Sequence, residues 1–248
     1  MTLEGLSAAE LARELGLPGV HVYDEVGSTM DVGAALGDQA AAAGTLIIAD
    51  AQTAGRGRSG RRWSSPAGHG LWLTLLERPN SAAALPVLPL RVGLRAARVL
   101  ERWTEAPVQL KWPNDLLVAG RKLAGVLTEA RWRDQRLEWV AIGVGINMKP
   151  PADVPDAAHL TSTSRREVLA ELVPVLRAAA SARGALSAPE LAQYAVRDVA
   201  RGKRCRAPAD GVVEGIGEGG ELLVQTESGL QRYVSGSLEL QSPLAFDL

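Results

Sequence analysis

Between residues 108 and 148 the chain runs through apolar stretches joined by links too short for anything but hairpins. VQLKW leads through Pro113 into DLLV, AGRK turns that run into LAGVLTEARW, and RDQR returns it as LEWVAIGVGINM. Parallel neighbours need a crossover of about a dozen residues or more, so these segments must pair antiparallel. A fold built around them is a sheet first, with helices added to its faces.

The flanking segments supply the rest. SAAELAREL, residues 7 to 15, predicts a short helix with Ser7 and Glu10 at capping-box spacing. VHVYDEV predicts a strand with Val20, Val22 and Tyr23 turned inward. GSTMDVGAALGDQAAAAG predicts a loop entering an alanine-rich helix that stops near Gly44. TLIIADAQ and GLWLTLLER predict two more strands, the second closed by Pro79. The next helix puts Leu90, Leu94, Ala97 and either Val99 or Leu100 on one face, which assigns Arg91, Arg95, Arg98 and Arg102 to solvent. Residues 165 to 200 are expected to be helical, with interruptions near Pro174 and around GALSAPE. From about Lys203, five short runs divided by glycine turns predict a small β-barrel. The expected class is α+β: a mixed, largely antiparallel sheet packed with helices over residues 1–200, and a small barrel over 201–248.

Bulk properties exclude several functions. Hydrophobic residues make up 46% and charged residues 22%, enough core for a globular domain and too little charge for disorder. A net charge of -1 argues against a nucleic-acid coat. Cys205 is the sole cysteine, which rules out an internal disulfide or a CxxC cage and reads as a small buried apolar residue. The N-terminus lacks the pattern of a signal peptide, and no apolar run approaches the roughly 20 residues that span a bilayer. A cytoplasmic protein without membrane partners is expected.

Against that neutral background, AQTAGRGRSGRRWSSPAGHGLW concentrates Arg56, Arg58, Arg61 and Arg62 among glycines. Glycines let backbone N–H groups approach an anion, and guanidinium forks match carboxylate and phosphate oxygens. No GK[ST] follows and no GxGxxG spacing is present, so neither a Walker loop nor a dinucleotide fingerprint is supported. From the residues alone, three readings stay open: a nucleic-acid contact, a grip on a phosphate-bearing small molecule, or a solvated basic loop. Two more stretches carry candidate chemistry. LKWPNDLLVAGRKLAGVLTEA clusters Lys111, Asn114, Asp115 and Lys122 around a hairpin, with Trp112 held extended before Pro113. IGVGINMK ends a buried strand at Asn147, and Gly143 and Gly145 remove side chains where something comes close.

Together these three blocks, with GSTMD upstream, resemble the signature blocks of biotin protein ligases. The likeness runs from about Val20 to Met148; the C-terminal barrel fits it, and residues 150 to 200 fit in helical character only. It implies a class II synthetase-like catalytic domain followed by an SH3-like barrel. It also implies a reaction in which ATP, with Mg²⁺, and biotin give biotinyl-5'-AMP, whose biotin passes to a lysine of a biotin carboxyl carrier protein of an acyl-CoA carboxylase. By motif, Ser28, Thr29 and Gln52 would bond the ureido ring or line its slot, and Gly125 and Gly143 would leave room for the bicycle. Arg56, Gly57 and Arg58 would hold the carboxylate and phosphate ends, with Lys122 at the reacting carboxyl. These make Lys122, Arg58 and Arg56 the expected catalytic residues. Arg61, Lys111, Asn114 and Asp115 would lie near the nucleotide, Trp63 beside the adenine, and Asn147 bonded to it. The likeness assigns no metal ligands.

The chain departs from the family pattern at Met30, where Asn is frequent, at Ser59, where arginine is frequent, and at Gln241, where some relatives are basic. Only 27 residues precede Ser28, too few for the DNA-binding module of relatives that also repress transcription. No repressor function and no nucleic-acid partner are therefore expected. A homodimer by sheet extension would use LTEARW or LEWVAIGV as its edge. The alternatives are a lipoate or octanoate protein ligase or transferase, which would need a long apolar slot, and a nucleic-acid-binding module using the arginine loop.

Overall fold

A computed structural model describes residues 2–79 and 81–241. A two-residue hairpin, β1 (Thr2–Leu3) and β2 (Leu6–Ser7), opens into α1 (Ala8–Leu15). Ser7 and Glu10 form the expected reciprocal capping box, and Gly16 ends the helix at φ 63°. There follow β3 (Val20–Val26), α2 (Thr29–Asp38), β4 (Thr45–Gln52), β5 (Gly70–Glu77) and α3 (Leu88–Leu100). The meander comprises β6 (Val108–Lys111), β7 (Asp115–Val118), β8 (Arg121–Arg133) and β9 (Arg136–Asn147). Next are α4 (Arg165–Ser181) and α5 (Ala188–Arg197), then β10 (Arg204–Ala207), β11 (Gly211–Ile216), β12 (Leu222–Thr226), β13 (Gly229–Tyr233) and β14 (Glu239–Leu240).

The first large sheet has the order β3-β4-β5-β9-β8-β7-β6. β3 and β4 run parallel, with α2 as their crossover, and every other pair is antiparallel. Ala119–Gly120 and Asp134–Gln135 turn the hairpins at positive φ, as tight two-residue turns require. Leu71, Leu73 and Leu75 of β5 and Val140, Ile142, Val144 and Ile146 of β9 face the main core, where α3 and α4 pack. The opposite parity, Thr74 on β5 and Ala141 and Gly143 on β9, faces α2. Because α2 is only 10 residues long, it covers part of that face and leaves the rest open.

β10 to β14 form a separate antiparallel sheet, order β13-β12-β11-β10-β14, the small all-β unit expected from the glycine turns. The 201–248 assignment extends past Gln241 into residues outside those described. Trp112 Nε1 donates to the Gly220 carbonyl at 3.0 Å, and the Leu186 amide donates to Glu218 at 2.8 Å, fastening this unit to the larger one.

Four expectations need correction. The alanine-rich helix ends at Asp38, not near Gly44, because Ala40 turns the chain at φ 61° and Asp38 is held by Trp139 Nε1 at 3.1 Å. Pro174 does not interrupt α4; Leu169, Leu172, Val173 and Leu176 are buried around it, and that apolar burial outweighs the roughly 3 kcal/mol a helical proline costs. Arg91 is not solvated: it is 2% exposed and its guanidinium pairs with Glu190 at 2.6 Å. LEWVAIGV offers no edge, since β9 lies between β5 and β8. Cys205 is buried, as expected. No helix among the described residues is long and apolar enough to cross a membrane.

Candidate active site

The open part of the α2 face is the floor of a cleft enclosing about 980 Å³, its mouth included. Two glycines of β9 make that floor possible. A Cβ on Gly145 would lie 2.5 Å from Trp63 Nε1, and one on Gly143 would lie 2.6 Å from Met30 Sδ. Any larger residue at either place would collide. The strand-after-loop order of the sequence brings Trp63 back over β8 and β9, where its ring also lies against Gly125. Its Nε1 is buried without a hydrogen-bond partner.

One wall is polar and continuous. Ser28 caps α2, its Oγ accepting from the Met30 amide at 3.3 Å. Gln52 Oε1, at the end of β4, accepts from the Thr29 amide at 2.9 Å and from Thr29 Oγ1 at 3.2 Å. Gln52 Nε2 donates to Ser65 Oγ at 2.8 Å, and Thr74 Oγ1 donates to Thr29 Oγ1 at 2.9 Å. Ser28 and Thr29 are 1% and 3% exposed, so these bonds fix their positions in a dry environment.

The other wall is cationic. Lys122 Nζ lies 2.7 Å from Asp115 Oδ1 and 5.0 Å from the centre of the Trp63 ring. Burial pushes the Arg58 guanidinium below its usual range, with Asp115 opposing the shift and Arg61 adding to it. Arg56 pairs with Asp31 at 3.0 Å and Glu129 at 3.2 Å. Gly57 donates its amide to the Arg61 carbonyl at 2.7 Å, closing the arginine loop on itself. Arg61 reaches Ser237 Oγ, so the C-terminal sheet contributes to the same cleft through Gly236, Ser237 and Leu238. Lys111 and Asn114 line the far end; Asn114 is stitched to Val126 by Nδ2 at 2.8 Å and by its carbonyl at 3.0 Å.

The structure thus brings together Ser28, Thr29, Gln52, Arg56, Gly57, Arg58, Arg61, Trp63, Lys111, Asn114, Asp115, Lys122, Gly125 and Gly143 on one cleft. Asn147 is placed differently. It is 4% exposed behind the lining, and its Nδ2 donates to the carbonyls of Lys122 and Ala158, both at 3.1 Å. In this arrangement it holds the backbone under Lys122. The space at Gly143 is taken by Met30, not left open as expected for a bicycle. Gln241 bonds Arg204 and Asp210 within the C-terminal sheet. Sequence reasoning did not find Glu129 or Ser237. Glu129 was legible, because it shares a face of β8 with Gly125 and Leu127 by the period of two; Ser237 left no local signal.

Such a cleft suits a ligand with a polar, uncharged end and a polyanionic end. Among the described residues no three His, Cys, Asp or Glu side chains converge as metal ligands. Asp115, the carboxylate on the cleft's lining, is already paired with Lys122, so a divalent ion would be held here chiefly by a ligand's own phosphates.

The model of the biotin/lipoate A/B protein ligase family matches residues 26–147. Over 189 residues the chain is 32% identical to the biotin–[acetyl-CoA-carboxylase] ligase of Mycobacterium tuberculosis, covering 70% of this chain and 68% of that protein. It is 37% identical over 153 residues to the bifunctional ligase/repressor BirA of Bacillus subtilis, covering 61% of this chain but 47% of that protein, about half its length. The biotin protein ligase from Aquifex aeolicus, solved in complex with biotin and ATP, is similar with a TM-score of 0.72 at 28% identity, over 90% of this chain and 98% of that one. The four-stranded meander, the arginine loop and the polar wall at the start of α2 all fall within the matched segment, and the chain belongs to the biotin/lipoate A/B protein ligase family.

Proposed function

We propose that the chain is a biotin–protein ligase. It activates biotin with ATP to biotinyl-5'-AMP and transfers the biotin to a lysine of a biotin carboxyl carrier protein. The observation that carries this reading is the division of one cleft into the bonded polar wall at Thr29 and Gln52 and the cationic wall at Arg56, Arg58 and Lys122. A ureido ring suits the first and a carboxylate beside phosphates suits the second. Similar proteins that are themselves biotin ligases, one of them solved with biotin and ATP bound, support the same assignment.

In the first step a biotin carboxylate oxygen attacks the α-phosphorus, an O–P bond forms, and the bond to pyrophosphate breaks. Two anions must be brought together, so the site has to supply positive charge before reaction. Lys122 meets the carboxylate, and Arg56 and Arg58 span it and the α-phosphate. Arg61, Lys111, Asn114, Asp115 and Trp63 hold the nucleotide, while Asn147 fixes the strand that carries Lys122. A Mg²⁺ bound with the nucleotide would supply charge neutralisation on the leaving phosphates. In the second step the carrier lysine, as the free amine, attacks the acyl carbon and AMP leaves. The arginine loop shields the mixed anhydride from water meanwhile.

The alternatives are less well supported. A lipoate or octanoate ligase would leave the Thr29–Gln52–Ser65 chain facing an alkyl group. A nucleic-acid module would need a broad free basic surface, whereas Arg56 is paired with Asp31 and Glu129, and Arg58 is half-buried in the cleft. The proposal includes a cytoplasmic location and a homodimer through the outer half of β8. No described strand pairs with that half on the side where β7 stops, at Gly125. Incubation with ATP, Mg²⁺ and biotin is expected to release pyrophosphate only when biotin is present and to label a carrier domain. Release driven by octanoate or lipoate instead overturns the substrate assignment.

A further inference from the structure

We propose that Met30 sets the depth of the ring slot and thereby selects a compact bicyclic acid over a long linear one, an inference that rests on the ligase reading above. Met30 is 3% exposed and lines the cleft one residue beyond Thr29. Its Sδ stands 2.6 Å and its Cγ 3.2 Å from where a Cβ of Gly143 would be, while Trp63 covers Gly145 two residues along the same strand. Same-face neighbours on a strand are about 7 Å apart centre to centre, which leaves between these two side chains a gap of about one ring's thickness.

What lies behind Met30 gives that wall its meaning. Met30 packs with buried Leu76, Trp139 and Ala141, and Ala34, Ala41 and Leu127 pack against the group. One unbranched thioether therefore separates a polar slot from an apolar cluster. The Met30 backbone is fixed by the Ser28 cap, so its side chain alone stands between the slot and that packed apolar cluster. A bicycle with a ureido group finds its partners at Thr29 and Gln52 and needs no further depth. A linear acyl chain finds nothing there and needs the apolar length that Met30 occupies. Removing Cγ, Sδ and Cε opens that length.

The test compares pyrophosphate release driven by biotin and by octanoate in the wild type, Met30→Ala and Met30→Leu, with folding followed by circular dichroism. Met30→Ala is expected to raise the octanoate-to-biotin ratio of kcat/KM about tenfold or more, the scale of selectivity a few methylenes command. Met30→Leu, which restores the volume, brings the ratio back toward the wild type. Should Met30→Ala fail to fold, Met30→Val is read in its place with the same expectation. A wild type active on biotin together with folded variants of unchanged ratio overturns the role of Met30 alone. A wild type with no biotin-dependent release overturns the ligase reading itself.

Discussion

Replacing Glu190 with Gln isolates one buried charge pair. Glu190 sits at the third position of α5, where it completes a capping box with Ser187, and glutamine serves that box equally well. What the substitution removes is the charge facing Arg91, whose guanidinium is 2% exposed and held at 2.6 Å and 3.1 Å by the two carboxylate oxygens. The Arg91 hydrogen bonds, with the Ser187 amide and hydroxyl adding to them, pull the Glu190 carboxyl from its ordinary 4.5 down to about 2, against the opposing effect of burial. That depression corresponds to about 3 kcal/mol of native stability at neutral pH. Stranding a buried partner typically costs about 3–5 kcal/mol. Because Arg91 keeps the Ala185 carbonyl at 2.9 Å, the lower end applies. The carboxylate's contribution is complete above about pH 5 and is lost as pH falls through the folded-state value near 2. Urea unfolding of wild type and variant is therefore expected to differ by about 3 kcal/mol at pH 7 and by less than half of that at pH 3. A gap that stays constant across that range, or that is below about 1 kcal/mol at pH 7, refutes the reasoning.

Lys122→Ala is expected to keep its far-UV spectrum and to slow biotin-dependent pyrophosphate release by about 10²–10³-fold, the scale of losing one preorganised charge; an unaffected rate removes Lys122 from the chemistry. Asp198 behaves oppositely to Glu190: burial raises its carboxyl from 3.8 to about 6, and Oδ2 has no partner. The ionisation penalty is absent below the ordinary 3.8 and grows to its full size as pH rises through about 6, so Asp198→Asn, which retains an acceptor for the Ala200 amide, should stabilise by up to about 3 kcal/mol at pH 8 and by nothing near pH 3. Urea midpoints at the two pH values check this, and a variant less stable at pH 8 contradicts it.

The sheet was legible wherever connections were short. The links at AGRK and RDQR leave no choice of pairing, and the glycines beyond Lys203 punctuate every strand of the C-terminal sheet. Capping was legible too, because Ser7 with Glu10 is a bond between neighbours in sequence. What failed depended on partners distant in sequence. Nothing local announces that Leu169, Leu172, Val173 and Leu176 bury α4 well enough to carry Pro174 through it. Nor does anything near Gly143 announce that a methionine 113 positions earlier fills its missing side chain. In the site, the residue types were readable from their chemistry, but Asn147 turned behind the lining and Ser237 entered it through contacts that only the folded chain creates.

The arginines make the same point in energetic terms. Arg91 and Arg56 are alike in composition and each pairs with carboxylate, yet burial gives them opposite tasks. Glu190 keeps 18% side-chain exposure, but Arg91 at 2% has almost no water to fall back on, so breaking the pair strands the guanidinium. At 41% exposure, facing Asp31 at 59% and Glu129 at 39%, Arg56 is held by pairs worth about 1 kcal/mol or less. Such pairs keep the guanidinium pointed into the cleft and yield to a ligand's carboxylate or phosphate with little loss. Lys122, 40% exposed against Asp115, is tethered in the same way. The proposed reaction takes up two anions and releases pyrophosphate and then AMP, which needs cations that are oriented but exchangeable, and partial exposure provides both.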